Sequence, residues 1–350
     1  MKSLAVTTDH KLEIVEIPKP VIGDDCVLCK TLSCGVCNGT DSKILHGNFK
    51  GFDTYPCLLG HEAIGEVIEV GKKVKQWKVG DRITLPYLEM GADGKYAGYY
   101  SAWSAYSEYT VARDWQAMAE MGCGPGTPGF WEGYYTHKVL PKDIDPIYGA
   151  MINTLREVLN ACKTFGFKSG ESIVVFGAGP VGLTFTTFAK LLGVKSVIVT
   201  DILEEKRAEA MKAGADCFIN GSKEDVISAV RKIYPNGADH VLDAVGVNSI
   251  INAAMHLVKD FGQICVYGIS PSLGMDIDWA NAPYNWSLKF LQFPNKVDEA
   301  AAHDQIINWV RMGVIDLKDY VSHIIPFEKI LDAFDMVARK EPCKKIVIKY

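Results

Sequence analysis

A cysteine and a histidine–glutamate pair in the first part of the chain have the chemistry of a metal site. Cys37 lies in a glycine-containing loop, and His61-Glu62 begins 24 residues later, just before a β-type run. Cysteine and histidine are good zinc ligands, and a catalytic zinc takes three protein ligands and leaves a fourth position open. Such a metal polarises an alcohol or carbonyl oxygen and lowers the alcohol's pKa, as hydride transfer requires. Cys37, His61 and Glu62 are therefore candidate catalytic and metal-binding residues.

A glycine-rich turn in the second half of the chain predicts a dinucleotide site. Gly177-Ala-Gly179-Pro180-Val181-Gly182 follows a buried strand and opens a helix, the context in which the pattern G-x-G-x-x-G binds a pyrophosphate. The first glycine permits the tight turn, the second lets the backbone approach the phosphates, and the third lets helix and strand pack closely. The start of the helix then offers free N–H groups to the phosphates.

The acidic residue that completes this fingerprint is Asp201, 19 residues after Gly182. Its carboxylate can accept hydrogen bonds from the ribose hydroxyls and repels a 2′-phosphate, which favours NAD over NADP. Lys206 is a further candidate for cofactor contact. Lys206 and Arg207 lie near enough to complicate the preference for NAD, and both also fit a solvated helix face.

The composition is that of an ordinary globular protein. Of 350 residues, 48% are hydrophobic and 23% charged, and the net charge of −5 disfavours a nucleic-acid partner. No apolar run approaches the ~20 residues that a membrane-spanning helix needs, and the N-terminus lacks the apolar stretch of a signal peptide. Ten cysteines are too few for a disulfide scaffold. We therefore expect reduced thiols, a cytoplasmic location and no membrane partner.

Two C-x-x-C pairs near the N-terminus invite a four-cysteine metal site, but their spacing disfavours it. Cys26 and Cys29 are separated from Cys34 and Cys37 by four residues, whereas such zinc sites usually have ~15–20 between pairs. Residues 26–33 also have the pattern of a strand, in which positions i and i+3 point to opposite faces. Cys37 lies past the end of this strand and is the member of interest.

The elements that must position these residues change character along the chain. In the first 150 residues, short β-type runs such as 26–32 and 63–70 are punctuated by glycine and proline, and residues 84–109 and 122–135 are predicted as long aromatic-rich loops. From about residue 171 strands alternate with helices, which implies a parallel, doubly wound sheet. After about residue 285 this alternation ends. Helices are predicted over residues 180–192, 203–213, 223–233, 250–258, 303–312 and 327–339.

The order of these motifs closely resembles the zinc-dependent medium-chain dehydrogenases, which include alcohol, sorbitol, threonine and glucose dehydrogenases. The resemblance runs over essentially the whole chain and rests on Cys37-Asn-Gly-Thr-Asp41, Gly60-His61-Glu62-Ala-Ile-Gly65, Gly80-Asp81-Arg82, the glycine-rich turn and Asp201. It implies an α/β protein with a β-rich, partly open (GroES-like) barrel as a catalytic, zinc-binding domain over residues 1–150 and 286–350. A Rossmann domain over 151–285 would bind NAD, with the active site in the cleft between the domains.

The resemblance also implies roles for single residues and a state of assembly. Cys37 and His61 would be zinc ligands, and Glu62 a nearby carboxylate that can approach the metal. Thr40 would be the hydroxyl that passes the alcohol proton onward, a sensible relay chemically. The family further implies a homodimer or homotetramer formed through the edge of the NAD domain's sheet.

Three features depart from the family pattern. Thr40 follows Cys37 by three residues instead of two, so the loop is expected to bulge. The carboxylate that serves as third ligand in polyol-oxidising members is replaced by Asn153, and a neutral amide is a poor zinc ligand; Glu157, one helical turn on, or Glu62 is the alternative. No cysteine lies between positions 57 and 123, where many members hold a four-cysteine structural zinc. We therefore expect one catalytic zinc and no structural zinc.

Aromatic residues near the candidate site suggest a substrate class. One dense stretch covers residues 96–109 and a second covers 130–137; such faces suit sugars and polyols, and equally suit an oligomer interface. By analogy with family members, we predict NAD-linked oxidation of a secondary hydroxyl on a polyol, sugar or cyclitol. The alternatives are a zinc-free medium-chain reductase of an activated carbonyl or alkene, against which the Cys37, His61 and Glu62 set argues, and a non-catalytic NAD-binding protein.

Overall fold

A computed structural model describes all 350 residues and divides them into two compact units. The first unit comprises Met1–Arg156 and Lys296–Tyr350, and the second comprises Glu157–Asn295. Both boundaries lie later in the chain than the predicted divisions after residues 150 and 285. The first boundary falls inside a helix, where neither composition nor turn residues change, so no local signal marks it.

The first segment of the chain is dominated by short strands, as its turn-rich pattern predicts. The stretches predicted as long loops contain β7, β8 and a π-helix. The elements are β1 (Lys2–Val6), β2 (Leu12–Glu16), β3 (Cys26–Gly35), α1 (Thr40–Leu45), β4 (Cys57–Leu58), β5 (Ala63–Val70), β6 (Arg82–Thr84), β7 (Lys95–Tyr96), β8 (Tyr99–Ser101), β9 (Tyr109–Arg113), α2 (Trp115–Glu120), the π-helix Glu132–Thr136, α3 (Pro146–Gly149) and α4 (Met151–Phe165).

The second unit alternates strands and helices, and the last segment returns to the first unit. The second unit contains β10 (Ser172–Phe176), α5 (Pro180–Leu191), β11 (Ser196–Asp201), α6 (Lys206–Lys212), β12 (Cys217–Asn220), α7 (Val226–Ile233), β13 (Ala238–Asp243), α8 (Asn248–Met255), β14 (Val258–Val266) and β15 (Trp286–Phe290). The return comprises α9 (Lys296–Arg311), the 3-10 helix Leu317–Tyr320, β16 (Val321–Pro326), the 3-10 helix Phe327–Lys329, α10 (Ile330–Ala338) and β17 (Lys345–Lys349).

Two sheets form the first unit. One has the order β2-β1-β4-β8-β7, and the other has the order β16-β17-β3-β5-β6 with β9 also paired to β3. In the second sheet, both β17 and β5 run antiparallel to β3. The C-terminal strand therefore lies beside a strand from the N-terminal part of the chain, which is why residues 296–350 belong to this unit.

The second unit is a six-stranded parallel sheet in the order β12-β11-β10-β13-β14-β15. Counted within the unit this order is 3-2-1-4-5-6, the arrangement of a doubly wound nucleotide-binding sheet. Its inner strands are nearly continuous apolar runs, for example Ser172–Phe176, because helices cover both faces of such a sheet. The predicted α/β fold with a doubly wound parallel sheet is confirmed. No helix is both long and apolar enough to cross a membrane.

A buried charge network ties the returning segment to the first one. Arg156 is fully buried and donates to the Glu299 carboxylate, also fully buried, at 2.7 Å. Its other terminal nitrogen lies 3.2 Å from both the Thr84 hydroxyl and the Thr136 carbonyl. Lys296 contacts the second Glu299 oxygen at 3.0 Å. Because loss of one partner would leave an uncompensated buried charge, this network holds the start of α9 in place.

Two buried histidines lie close to this network. His137 stacks on Tyr87 with ring centroids 5.5 Å apart, and Nε2 of His303 lies 3.1 Å from the Val139 carbonyl. Burial lowers the pKa of His137 to about 4, and burial together with the charge of Arg156 lowers the pKa of His303 to about 4. Both imidazoles are therefore neutral in the folded protein at neutral pH.

These histidines should make the fold sensitive to mild acid. Between the ordinary histidine pKa of about 6.5 and the folded value near 4, the unfolded chain binds more protons than the folded one, so the free energy of unfolding falls as the pH is lowered. The loss is at most about 3 kcal/mol per histidine. Denaturant unfolding at several pH values should show a shallower pH dependence for His137→Phe. The exposed-site control His46→Asn should retain the wild-type dependence, and an unchanged slope in His137→Phe would contradict the assignment.

Candidate active site

The ends of three paired strands bring the predicted metal residues together. Because β5 and β17 both run antiparallel to the central β3, the end of β3 meets the starts of β5 and β17. Cys37 lies just past the end of β3, His61 and Glu62 directly precede β5, and Lys345 is the first residue of β17. Strand pairing thus assembles side chains that are far apart in the sequence.

Cys37, His61 and Glu62 form a group suited to a metal ion. One ligand atom from each lies within 4.8 Å of the other two. Thiolate, imidazole and carboxylate are together a donor set typical of zinc, which takes three protein ligands at catalytic sites. Glu62 is the carboxylate of this group. Of the two other predicted third ligands, Asn153 lies in the same unit as these residues, and Glu157 lies in the second unit.

Asp41 is a buried carboxylate beside His61 that was not among the candidate residues predicted from the sequence. Its Oδ1 lies 3.4 Å from His61 Nδ1, and its Oδ2 accepts the Cys37 N–H at 3.0 Å and the Tyr106 hydroxyl at 2.7 Å. Burial lowers the pKa of His61, but the charge and hydrogen bonding of Asp41 outweigh this and hold that pKa well above its usual value. A carboxylate in this position orients a metal-binding imidazole. The only sequence feature that could have indicated Asp41 is its position in the motif Cys37-Asn-Gly-Thr-Asp41.

The extra residue after Cys37 is taken up by a turn that continues into α1. The Asp41 N–H donates to the Cys37 carbonyl at 3.0 Å, as in a helical turn. The Thr40 N–H lies 3.5 Å from Cys37 Sγ, so Thr40 is adjacent to the sulfur despite the longer spacing. The Thr40 side chain is buried. The expected bulge is therefore replaced by a helical turn that keeps Thr40 at the site.

Glu62 is also held by a lysine that no sequence pattern revealed. Lys345 Nζ contacts both carboxylate oxygens, at 2.8 and 2.7 Å, and the Thr154 hydroxyl donates to Oε1 at 3.3 Å. Both members of the ion pair are buried. Burial lowers the pKa of Lys345, but the charge of Glu62 outweighs this and raises that pKa above its ordinary value. Glu62 is thus placed between a fixed cation and the candidate metal position.

Trp103 lies against the imidazole of His61 in a strained backbone conformation. The two ring centroids are 5.1 Å apart, and Phe49 packs edge-on against the indole, with ring centroids 6.3 Å apart. Trp103 and Ser104 have φ of 65° and 63°, a region that non-glycine residues rarely adopt and that often marks functional sites. The first aromatic stretch therefore contributes one exposed ring to the site. The second stretch packs on itself around the π-helix, for example Trp131 stacked on Tyr135.

Removing Lys345 should make the stability of the protein depend strongly on metal. In Lys345→Met, Glu62 is left buried without a counter-charge, so the free energy of unfolding of the metal-free protein should fall by about 3–5 kcal/mol. Added zinc should restore part of this loss because the cation compensates the carboxylate. Denaturant unfolding with chelator and with zinc measures both effects. Lys349→Met, on the exposed side of the same strand, is the matched control, and equal behaviour of the two variants would refute the role of Lys345.

The glycine-rich turn has the geometry that its pattern predicts. Gly177 has φ of 99°, and a Cβ at Gly182 would lie 1.9 Å from the Gly177 carbonyl oxygen. Only glycine fits at these two positions. Pro180 and Val181 form the first turn of α5, and Gly179 precedes it with open space around its Cα. The turn therefore leaves the approach to the helix N-terminus free for a phosphate.

Asp201 ends β11, the strand next to β10, and anchors this turn. Its Oδ2 accepts the Ala178 N–H at 2.7 Å, and its Oδ1 accepts the Leu203 N–H at 3.0 Å. Lys206 Nζ lies 3.1 Å from the Glu209 carboxylate. Arg207 pairs with Glu204 and lies over the ring of Phe218. Asp201 thus keeps a negative charge beside the turn, while both basic residues have acidic partners.

Alanine substitutions at two glycines of the turn should separate folding from cofactor binding. Gly182→Ala forces the helix away from the turn and should lower the free energy of unfolding by about 1–3 kcal/mol. Gly179→Ala meets no atom within 4 Å, so its stability should change by less than about 0.5 kcal/mol. Its methyl group lies where a pyrophosphate approaches, so dinucleotide affinity should fall at least ~10-fold. Thermal unfolding and NADH fluorescence titration test both, and wild-type affinity in Gly179→Ala would show that phosphates do not bind this turn.

Known proteins match the chain over nearly its whole length. A family model described as the alcohol dehydrogenase GroES-like domain matches residues 23–122, and one described as zinc-binding dehydrogenase matches residues 180–291. An alcohol dehydrogenase of Geobacillus stearothermophilus is 32% identical over 285 residues, covering 77% of each chain. A sorbitol dehydrogenase of Bombyx mori is 27% identical over 356 residues, covering 97% of this chain and 95% of the relative.

A solved structure has the same fold. A zinc-binding dehydrogenase from Sinorhizobium meliloti 1021, crystallised with NADP, superposes with a TM-score of 0.79 at 24% identity, covering 100% of this chain and 99% of the other. The chain belongs to the zinc-dependent medium-chain dehydrogenase family. Within that family it is a zinc-type alcohol dehydrogenase and therefore an oxidoreductase.

Proposed function

We propose that this protein transfers a hydride between NAD and a secondary alcohol of the polyol, sugar or cyclitol class, with the help of one bound zinc. The observation that carries the proposal is the group of Cys37, His61 and Glu62, whose ligand atoms lie within 4.8 Å of one another. The same chain carries a dinucleotide-binding turn. A metal site that polarises a hydroxyl and a site for a hydride carrier are the two parts that alcohol oxidation needs.

The residues at the metal position fit a zinc ion. His61 Nδ1 and Asp41 Oδ1 are buried and lie 3.4 Å apart without a regular hydrogen bond. A carboxylate so placed raises the basicity of a metal-binding imidazole, so a cation bound by His61 would fit this pair. Zinc, when bound, polarises the substrate hydroxyl and lowers its pKa. We propose a single catalytic zinc and no structural zinc, because no cysteine lies between positions 57 and 123.

The surrounding residues have distinct tasks in this proposal. Asp41 orients the His61 imidazole. Lys345 holds the Glu62 carboxylate and neutralises its charge. Thr40, whose backbone N–H lies 3.5 Å from Cys37 Sγ, is proposed as the hydroxyl that takes the substrate proton. A hydroxyl can both accept and donate a proton, which suits a relay from a buried site to solvent.

The proposed cofactor is NAD. Asp201 keeps a carboxylate beside the glycine-rich turn, and its charge would repel a 2′-phosphate. Lys206 and Arg207 are paired with Glu209 and Glu204, which weakens their attraction for that phosphate. Lys206 stays a proposed contact to the cofactor. The Sinorhizobium structure contains NADP, and the assignment to NAD therefore depends on the acidic residue in this chain.

The proposed substrate class rests on the surroundings of the metal position. The exposed indole of Trp103 beside His61 offers a flat face of the kind that packs against the C–H groups of polyols and sugars. The Bombyx mori relative is named a sorbitol dehydrogenase, which agrees with this class. We also propose a homodimer or homotetramer, because β15 is an edge strand with the exposed Phe290 at its end.

Metal analysis and a substrate screen test the proposal together. Mass spectrometry of protein purified without chelator or added metal should find about one zinc per chain, and Cys37→Ala should lose it because a thiolate ligand is gone. Turnover of a polyol panel with NAD should fall at least ~100-fold in Cys37→Ala. Cys34→Ala, a buried cysteine of β3, is the matched control and should keep its zinc. A native chain without metal would favour the zinc-free reductase, which the neutral Asn153 would suit.

The same screen tests the choice of cofactor. The wild type should turn over faster with NAD than with NADP, and Asp201→Asn should reduce this preference because it removes the repelling charge. Equal use of both cofactors by the wild type would contradict the assignment to NAD.

A further inference from the structure

Asn153 has a buried side-chain oxygen without a partner. The residue lies in the first turn of α4 and is 2% exposed. Its Nδ2 donates to the Ala63 carbonyl at 3.5 Å, and its Oδ1 is buried with no hydrogen bond. The carbonyl can only accept, so the amide nitrogen must face it and the oxygen must be the free end. A buried acceptor left unpaired costs free energy unless a ligand supplies a donor.

The position of Asn153 ties this oxygen to the candidate active site. Ala63 directly follows His61 and Glu62, and Thr154, the neighbour of Asn153, donates to Glu62 Oε1 at 3.3 Å. The first turn of α4 therefore packs on the segment that carries two of the candidate metal residues. A neutral amide competes poorly for zinc against a thiolate, an imidazole and a carboxylate. Its oxygen is better suited to accept a hydrogen bond from a hydroxyl.

We propose that Asn153 Oδ1 accepts a hydrogen bond from a second substrate hydroxyl, on the carbon next to the one that is oxidised. The enzyme then prefers vicinal diols to simple secondary alcohols. This inference rests on the proposed function and assigns the residue that selects its substrate class. An alcohol without the second hydroxyl leaves the buried oxygen unpaired, and sites built to bind a hydroxyl discriminate against substrates that lack it.

A matched pair of substrates tests the inference. Butane-2,3-diol and butan-2-ol share a carbon skeleton and the hydroxyl to be oxidised, and they differ in the second hydroxyl. With NAD and zinc-loaded wild type, kcat/KM should be at least ~10-fold higher for the diol. In Asn153→Leu this ratio should fall ~10- to 100-fold, because kcat/KM for the diol should fall by more than kcat/KM for butan-2-ol.

Two readouts other than turnover separate this role from a metal-binding or structural one. Zinc content should be unchanged in Asn153→Leu, and the upward shift of the melting temperature produced by the diol in the absence of NAD should disappear. If Asn153→Leu folds poorly, Asn153→Ala removes the same oxygen with a smaller side chain. It should show the same zinc content and the same loss of the diol-induced shift.

Other results overturn the inference. Loss of zinc in both variants would make Asn153 a metal ligand. An equal fall for diol and mono-alcohol would make it structural. If the wild type turned over both substrates equally, the role of Asn153 would be refuted and the proposed function would be unaffected. If the wild type held no zinc and showed no turnover, both would be refuted.

Discussion

The pairing of β3 with β5 on one side and β17 on the other is the constraint on which the candidate active site depends. An antiparallel ladder fixes which strand ends meet, because a register shift of one residue would turn the side chains of the strand to the opposite face of the sheet. The loop after β3 carries Cys37, the residues before β5 are His61 and Glu62, and β17 begins at Lys345. The metal position is thus a consequence of backbone pairing.

Charge balance is the second requirement at this site. Glu62 and Asp41 are buried carboxylates beside the thiol of Cys37, and Lys345 is the buried cation among them. Burying charge is costly unless partners compensate it. Lys345 compensates Glu62, while Asp41 faces His61 and is shared with the Tyr106 hydroxyl. A bound cation would complete this balance, which is the electrostatic reason why the site suits a metal.

In the second unit, the geometry of the glycine-rich turn is set by steric contact. Close contact between the start of α5 and the turn before it requires that Gly182 have no side chain, and the carboxylate of Asp201 satisfies the Ala178 N–H of the same turn. These contacts are local along the chain and along adjacent parallel strands. The site for a dinucleotide is therefore built from neighbouring strand ends, as in other doubly wound sheets.

The sequence alone predicted the α/β fold, the glycine-rich turn and the candidate metal group of Cys37, His61 and Glu62, because each depends on short residue patterns that are local in the chain. The domain boundary within α4 and the helical turn after Cys37 had no local marker. Lys345 lies 283 residues from Glu62, and Tyr106 lies 65 residues from Asp41. Only the tertiary structure could bring these partners together, since strand pairing between distant segments decides which buried charges meet. The same holds for the unpaired oxygen of Asn153, whose lack of a partner is a property of its packed surroundings.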